Sequence, residues 1–586
     1  MVLLLNHLGY ETDAAKAFIL QTESRVYKEK ELSPAIIDSG NGERVFIPKL
    51  VSAGEVDRWR DRFFYRFDFS QFNAPGRFRI RLVCGDAVLE SPPFEIRSDL
   101  LQDTCISDIL FYLKSQRCSG IWDRADRNIP FVGGRRDRVD VHGGWYDAAG
   151  DYSKYLSHLS YADFFNPQQT PLVVWSLAVL YKGLECGPTC THCLLAERAL
   201  EEAMWGADFL VRMQDREGYF YTTVFDRWTK FPKERRICSY RTQNGELLES
   251  YRAGFRQGGG IAVAALAAIS AIDPSHEPPG EYRSGDYLEA ARRGYTHLKV
   301  HSLEYSENGR ENCIDYYCSL LAAAELYAVT GEDEYIRDCQ ERVSQLNALF
   351  LREKGYLRIE EGSERPFFHA SDEGLPITAL ARYTEIEKDE SARRKALGLI
   401  QDLSTALLKV SDETYNPFRL LRRWVQAVEG PVRSSFFIPH ENETGYWWQG
   451  ENGALASVSC ALRLAAKLFE KNDFEIENGL MPRMRDFATS QLDWILGLNP
   501  YDICMLQGRG RNNPEYEEFF PNAPGGICNG ITAGYQDETD IDFLPEKAGR
   551  EGDHRWRWSE QWIPHAAWFL LALSADIPGG EEPHDE

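Results

Sequence analysis

The chain has 586 residues with a formal net charge of −24, 43% hydrophobic and 12% aromatic. That length holds a small domain beside a very large one, and the aromatic content supplies a substantial core. The negative charge argues against nucleic acid as a partner, because phosphate binding needs basic patches; it suits a neutral or cationic ligand, or a soluble acidic surface.

The opening Met1-Val2-Leu3-Leu4-Leu5-Asn6-His7 has no basic lead and is too short for a secretory core, so it reads as a first strand. No apolar run reaches about 18 residues, which predicts no membrane span. The 13 cysteines, an odd number scattered along the chain, fit reduced thiols and a cytoplasmic protein.

Residues 1–97 read as β. Phe64–Phe69 and Phe78–Leu82 are rich in aromatic or branched residues, and Asn73-Ala74-Pro75-Gly76 between them is turn chemistry. Several short strands in such a span predict a small antiparallel sandwich. From about residue 98 to 577 the pattern is helical. Apolar positions recur at helical spacing around 106–117, 170–183, 193–214, 258–272, 283–300, 315–330, 335–350, 375–387, 391–409, 453–470, 481–497 and 564–574. Segments such as Gly260–Ile269 are apolar nearly all round, which places them between other helices. The connections are long and rich in Gly, Trp and charge, as functional loops are. Residues 578–586 form an acidic, turn-rich tail.

In Gly143-Gly144-Trp145-Tyr146-Asp147-Ala148-Ala149-Gly150-Asp151-Tyr152-Ser153-Lys154-Tyr155, two carboxylates stand four residues apart among aromatics. Flat rings of Trp145 and Tyr146 suit sugar stacking, and paired carboxylates suit general acid/base work on a polyol. Acids capping a helix account for the same pattern.

This segment resembles the Asp-Ala-Gly-Asp signature of glycoside hydrolase family 9, the inverting β-glycanases. Phe255–Gly260, Ala322–Tyr327 and Gln491-Leu492-Asp493-Trp494-Ile495-Leu496-Gly497-Leu498-Asn499-Pro500 match further motifs in the family's order, and Asn6-His7-Leu8-Gly9-Tyr10 with Asp68-Phe69-Ser70 is similar to the immunoglobulin-like module that often precedes it. The resemblance implies an N-terminal immunoglobulin-like sandwich followed by an (α/α)6 toroid of twelve helices. It also implies an inverting O-glycosyl hydrolase needing no cofactor, with structural zinc or calcium in some members.

By that resemblance Asp151 matches the catalytic base and Asp147 its companion, although two alanines separate the pair where the family has one. Ser559-Glu560-Gln561-Trp562 looks like the segment carrying the family's acid. Around Glu560, Trp556, Trp558 and Trp562 would desolvate a carboxyl and raise its pKa, as a general acid requires. Tyr446-Trp447-Trp448-Gln449-Gly450-Glu451 reads either as a sugar subsite or as core tryptophans, with Glu451 a reserve acid or amino-sugar ligand. Cys186, Cys190, His192 and Cys193 have thiolate spacing that zinc accepts, with no fourth ligand evident in good geometry.

The His-x-Arg element common in the family's endoglucanases is missing from 508–520, where Glu515, Glu517 and Glu518 stand instead. Either an ammonium-binding pocket or a solvated loop accounts for them. The expectation is therefore a cytoplasmic exo-acting β-1,4-glycosidase taking short imported oligosaccharides, of chitosan type, with cello-oligosaccharide hydrolysis or endoglucanase activity as the competing reading. A sugar-binding toroid without turnover is the reading from another class.

Overall fold

The computed structural model describes all residues except 24–26, 159–160, 186–189, 242–243, 273–279, 446–448, 518–520 and 578–586, together with the side chain of Cys190. The acidic tail therefore lies outside the described residues.

The N-terminal strands build a two-sheet sandwich. One sheet runs Val2–Leu4, Ala17–Thr22, Phe63–Asp68, Lys49–Gly54; the other runs Gly9–Tyr10, Phe94–Ile96, Gly76–Cys84, Leu32–Asp38, Arg44–Phe46, with Ala87–Glu90 also paired to Gly76–Cys84. Strict alternation along Gly76–Cys84 sends Phe78, Ile80, Leu82 and Cys84 inward while Arg77, Arg79 and Arg81 face out, the period-2 signature of a half-buried strand. Phe18 stacks on Phe67 at 4.7 Å in the sandwich core.

Three residues, Arg97 to Asp99, separate the last strand from the first helix. Twelve helices among the described residues then form two concentric rings. The inner ring is Thr170–Glu185, Gly260–Ser270, Cys313–Thr330, Leu375–Ile386, Asn452–Lys471 and Ile563–Ser574; each packs on the next, and the last returns to the first. Leu100–Ser115, Cys190–Arg212, Ser284–His301, Asp333–Leu349, Glu390–Ser411 and Leu480–Ile495 lie outside them. Every residue of Ile563–Ser574 is buried, as are all but Ser270 of Gly260–Ser270, because an inner helix touches protein on every side. The short helices Gly120–Asp126, Glu546–Arg550 and Trp556–Ser559 lack the length for a sequence signal and sit in the connections.

Beside its own core, the sandwich packs Leu4, Ile19, Val56, Trp59 and Phe64 into the core of the toroid. Trp59 lies 5.0 Å from Phe436, and Phe64 makes an edge contact with Phe418 at 5.1 Å. Asn6 donates from Nδ2 to Asp493 Oδ1 (2.8 Å), His7 N donates to Leu496 O (2.9 Å), and His7 Nε2 meets Asp502 at 3.1 Å. Gly497, at φ +120°, has no room for a Cβ because the His7 ring would lie 2.3 Å from it. Two motifs that carried the family resemblance, one in each domain, are thus partners across the boundary.

Candidate active site

Asp147 and Asp151 lie on the connection that leads into the first inner helix, and Glu560 stands two residues before the cap of the last. Those helices are neighbours in the ring, so the connections meet. Ala149 N donates to Gln561 O (2.9 Å) and Ile563 N to Asp147 O (3.1 Å). Asn529 N donates to Glu560 O (2.8 Å), tying the Glu560 backbone to a third loop. Residues more than 400 apart in sequence are therefore held by backbone hydrogen bonds rather than by side-chain reach.

The additional alanine is absorbed in a tight turn. Asp151 N donates to Ala148 O at 3.2 Å, with Gly150 in the left-handed region at φ +87°. The turn sets both carboxylates on one side. Oxygen atoms of Asp147 and Asp151 and a ring nitrogen of His158 all lie within 4.8 Å of one another.

Donors distinguish the two aspartates. Asp151 accepts from Ser153 N (2.9 Å), Tyr155 Oη (2.9 Å) and Trp228 Nε1 (3.2 Å). Asp147 accepts at Oδ2 from Trp562 Nε1 (3.0 Å), while its Oδ1 is buried without a hydrogen-bond partner. Burial is the largest influence on both, raising both carboxyls above the ordinary aspartate value; the Asp151 and Glu560 charges push Asp147 further up, whereas hydrogen bonds hold Asp151 back. Asp147 thus retains its proton longer. Glu560 is half-buried and raised well above the ordinary glutamate value, by desolvation first and then by the Asp151 charge, with Lys230 pulling the other way.

Below the carboxylates, Lys154 is fully buried, pairs with Asp126 at 2.7 Å and donates to Val141 O and Gly143 O (2.8 Å each). Arg235 chelates the same Asp126 and donates to Tyr152 O (2.7 Å). This buried ion trio fixes the turn from beneath. Opposite, the loop after strand Thr223–Phe225 holds Arg227, Trp228 and Lys230 at φ near +60° (59°, 57° and 61°). Left-handed backbone at three non-glycine residues costs about 1 kcal/mol or more each, a strain tolerated where it serves to aim a side chain. Here it carries the Trp228 indole to Asp151.

Sequence reasoning missed His158, Asp226, Trp228 and Tyr240. Asp226 is buried, accepts from Ser153 Oγ (3.2 Å) and is raised by burial and the Asp151 charge. The His158 ring packs 4.4 Å from Tyr155 and edge-on to Trp562; Tyr240 Oη approaches its Nδ1 at 2.6 Å. Burial lowers His158 to about 3, keeping it neutral. Alternation through Asp151, Ser153 and Tyr155 next reaches Ser157, so strand-like spacing did not single out His158.

Several expected binding residues are elsewhere. Trp145 is completely buried, its ring filling the space over Gly206, where an added Cβ would lie 2.3 Å away, and its Nε1 donates to Glu202 (3.3 Å). Trp558 is also fully buried, packed with Ala548 and Tyr535. Neither ring has a face for sugar. Tyr146 stacks on Tyr152 at 4.7 Å, and Ser119 N donates to its hydroxyl, an aromatic brace beneath the turn. Glu451 is buried against Arg423, which also binds Glu373 (3.0 Å), and accepts from Ile438 N (2.7 Å); a carboxylate so fully engaged is scaffold. Trp447, Trp448, Cys186 and Glu518 lie outside the described residues. Cys193 is exposed in the first turn of Cys190–Arg212. Asp147, Asp151 and His158 form the candidate metal-ligating group among the described residues.

The glycosyl hydrolase family 9 model matches residues 103–517, and that of the cellulase N-terminal ig-like domain matches 2–85. The first match stops before Glu560. A xyloglucan-specific endo-beta-1,4-glucanase from Bacteroides ovatus is 22% identical over 567 residues, covering 91% of this chain and 86% of its own length. A cellulose 1,4-beta-cellobiosidase from Acetivibrio thermocellus is 23% identical, covering 99% and 68%. Among solved structures, a metagenome-derived family 9 endoglucanase superposes with TM-score 0.66 at 19% identity, covering 98% of each chain, and a Bacteroides ovatus family 9 protein with 0.64 at 18%, also 98% of each. With the family model covering more than half of its length, this chain belongs to glycosyl hydrolase family 9.

Proposed function

We propose that the protein is an inverting β-1,4-glycosidase in which Asp151 activates water, Glu560 protonates the leaving oxygen and Asp147 helps hold the water. The difference in donors supports this division. Three hydrogen bonds favour the ionised form of Asp151, as a base requires; desolvation and the Asp151 charge favour the protonated form of Glu560, as an acid requires. Asp147, with one donor and an unengaged Oδ1, keeps its proton and presents that edge to water. In such a scheme the base removes a proton from water on one face while the acid delivers one to the departing sugar oxygen on the other, inverting the anomeric centre. Asp151→Asn and Glu560→Gln are each expected to lower kcat/KM by at least about 10²-fold with unchanged thermal unfolding; near-full activity in either removes its assigned role.

For substrate, we infer a short β-1,4-linked oligosaccharide of glucosamine, processed from one end. The supporting observation is charge. Asp147, Asp151, Asp226, Glu517 and Glu560 influence one another electrostatically around this site, with Lys230 the opposing charge beside Glu560. Such a cluster of carboxyl groups, with Asp151 its ionised member, offers acceptors and a charge partner to the ammonium of an amino sugar. The second reading, neutral gluco-oligosaccharides, is favoured by the relatives' activities on xyloglucan and cellulose. Incubation with chitosan and cellulose trimers to hexamers separates them: glucosamine monomer appearing first, as the α anomer by NMR, is the expected result. Cellobiose or longer gluco-products alone would overturn it.

A further inference from the structure

We infer that Asp147, Asp151 and His158 form a binding site for a zinc-class divalent cation, which inhibits the enzyme by occupying the place of the reacting water. The inhibition rests on the role proposed for Asp151; the binding does not.

The donor set is two carboxylates and an imidazole with ligand atoms within 4.8 Å of one another, and His158 Nε2 lies 3.9 Å from Asp147 Oδ2. Ligand atoms on tetrahedral zinc are about 3.3 Å apart, from metal–ligand bonds of about 2.0–2.2 Å, so modest side-chain rotation closes the site. A second observation points to a ligand independently: Asp147 Oδ1 is buried and has no hydrogen-bond partner. All three side chains are also oriented from behind, as metal ligands characteristically are. Trp562 Nε1 donates to Asp147 Oδ2 (3.0 Å), the oxygen nearest His158, Tyr155 Oη holds Asp151 (2.9 Å), and the Tyr240 hydroxyl sits along the His158 ring edge, 2.6 Å from Nδ1 and 3.1 Å from Nε2. The imidazole discriminates against calcium and magnesium, which prefer all-oxygen shells, and toward zinc, nickel or copper. Three protein ligands leave a fourth position to solvent.

The test titrates zinc chloride into the chelator-stripped full chain at pH 7 by calorimetry, with hydrolysis of the preferred trimer followed in parallel. Expected are one zinc bound per chain with inhibition reversed by EDTA, and no effect of calcium or magnesium at the same concentrations. His158→Ala should weaken zinc binding at least about 10-fold, and Tyr240→Phe by about 10-fold through loss of the orienting contact, with thermal unfolding followed for each. Tyr240→Phe keeps the test open if His158→Ala fails to fold. Absence of zinc binding to the wild type, or binding that both variants leave unchanged, overturns the site. His158-dependent binding without inhibition overturns the displacement of water. A chain that binds zinc at this site but cleaves no oligosaccharide leaves the site standing and removes the hydrolase reading instead.

Discussion

At the scale of single residues, the proposed base and acid are both raised by burial, hydrogen bonds holding Asp151 back and the Asp151 charge pushing Glu560 further up, and pH should reveal both. A base works ionised, so activity falls as pH drops through the raised value of Asp151. An acid works protonated, so activity falls as pH rises through the raised value of Glu560. The expected kcat/KM profile is a bell whose two limbs both lie above the ordinary Asp and Glu values; a flat profile into the alkaline range would contradict the role of Glu560. Asp147 adds a stability counterpart. Its folded value is raised, so its favourable contribution is complete below the ordinary aspartate value of 3.8 and is lost as pH climbs through the folded value. Asp147→Asn should therefore raise the midpoint of thermal unfolding by about 1–2 °C at pH 8 and not at pH 3.5, while lowering activity. The aspartates stood out through the resemblance of their segment to the family signature, since their spacing alone fits acids capping a helix equally well. Trp145 misled because an aromatic beside a carboxylate looks the same whether it faces a sugar or Gly206 of the helix behind it. The interior glycine on Cys190–Arg212 was the visible clue, since a mid-helix glycine marks close approach.

At the scale of elements, the twelve helical spans read from apolar spacing coincide with the twelve ring helices to within a few residues, except that the first begins at Leu100 rather than 106. The early start has a physical cause that no local pattern carries. Glu11, from the sandwich, accepts hydrogen bonds from Leu100 N (3.1 Å) and Leu101 N (2.9 Å), capping a helix whose own Asp99 is left-handed and makes no side-chain cap. Glu11→Ala should cost about 1 kcal/mol and fray this first turn, read as faster amide exchange at Leu100 and Leu101 with the sandwich unchanged. Unaltered exchange there would show that packing alone holds the turn. The loops were the illegible part. Their two-residue strands, such as Lys154–Tyr155 on Val224–Thr223, are specified by partners far away rather than by periodicity.

At the scale of the whole molecule, the sandwich is bound to the toroid by continuous core and by polar bonds across the boundary. Asp493, lifted to about 6 by burial, relies on Asn6 as its side-chain donor. Asn6→Ala leaves that carboxyl uncompensated at about 1–3 kcal/mol. Because the linker is only three residues, the expected result is a calorimetric trace that broadens or splits toward two transitions, with earlier cleavage near residues 97–99 in limited proteolysis. A single sharp transition matching wild type would place the coupling in the aromatic contacts alone. The backbone hydrogen bonds joining Asp147 and Ala149 to Gln561 and Ile563 carry a consequence for biosynthesis. During translation Asp147 is made more than 400 residues before Glu560. A chain interrupted between them holds only one side of the proposed pair, so on that proposal hydrolysis begins only once the closing helix, Ile563–Ser574, has docked.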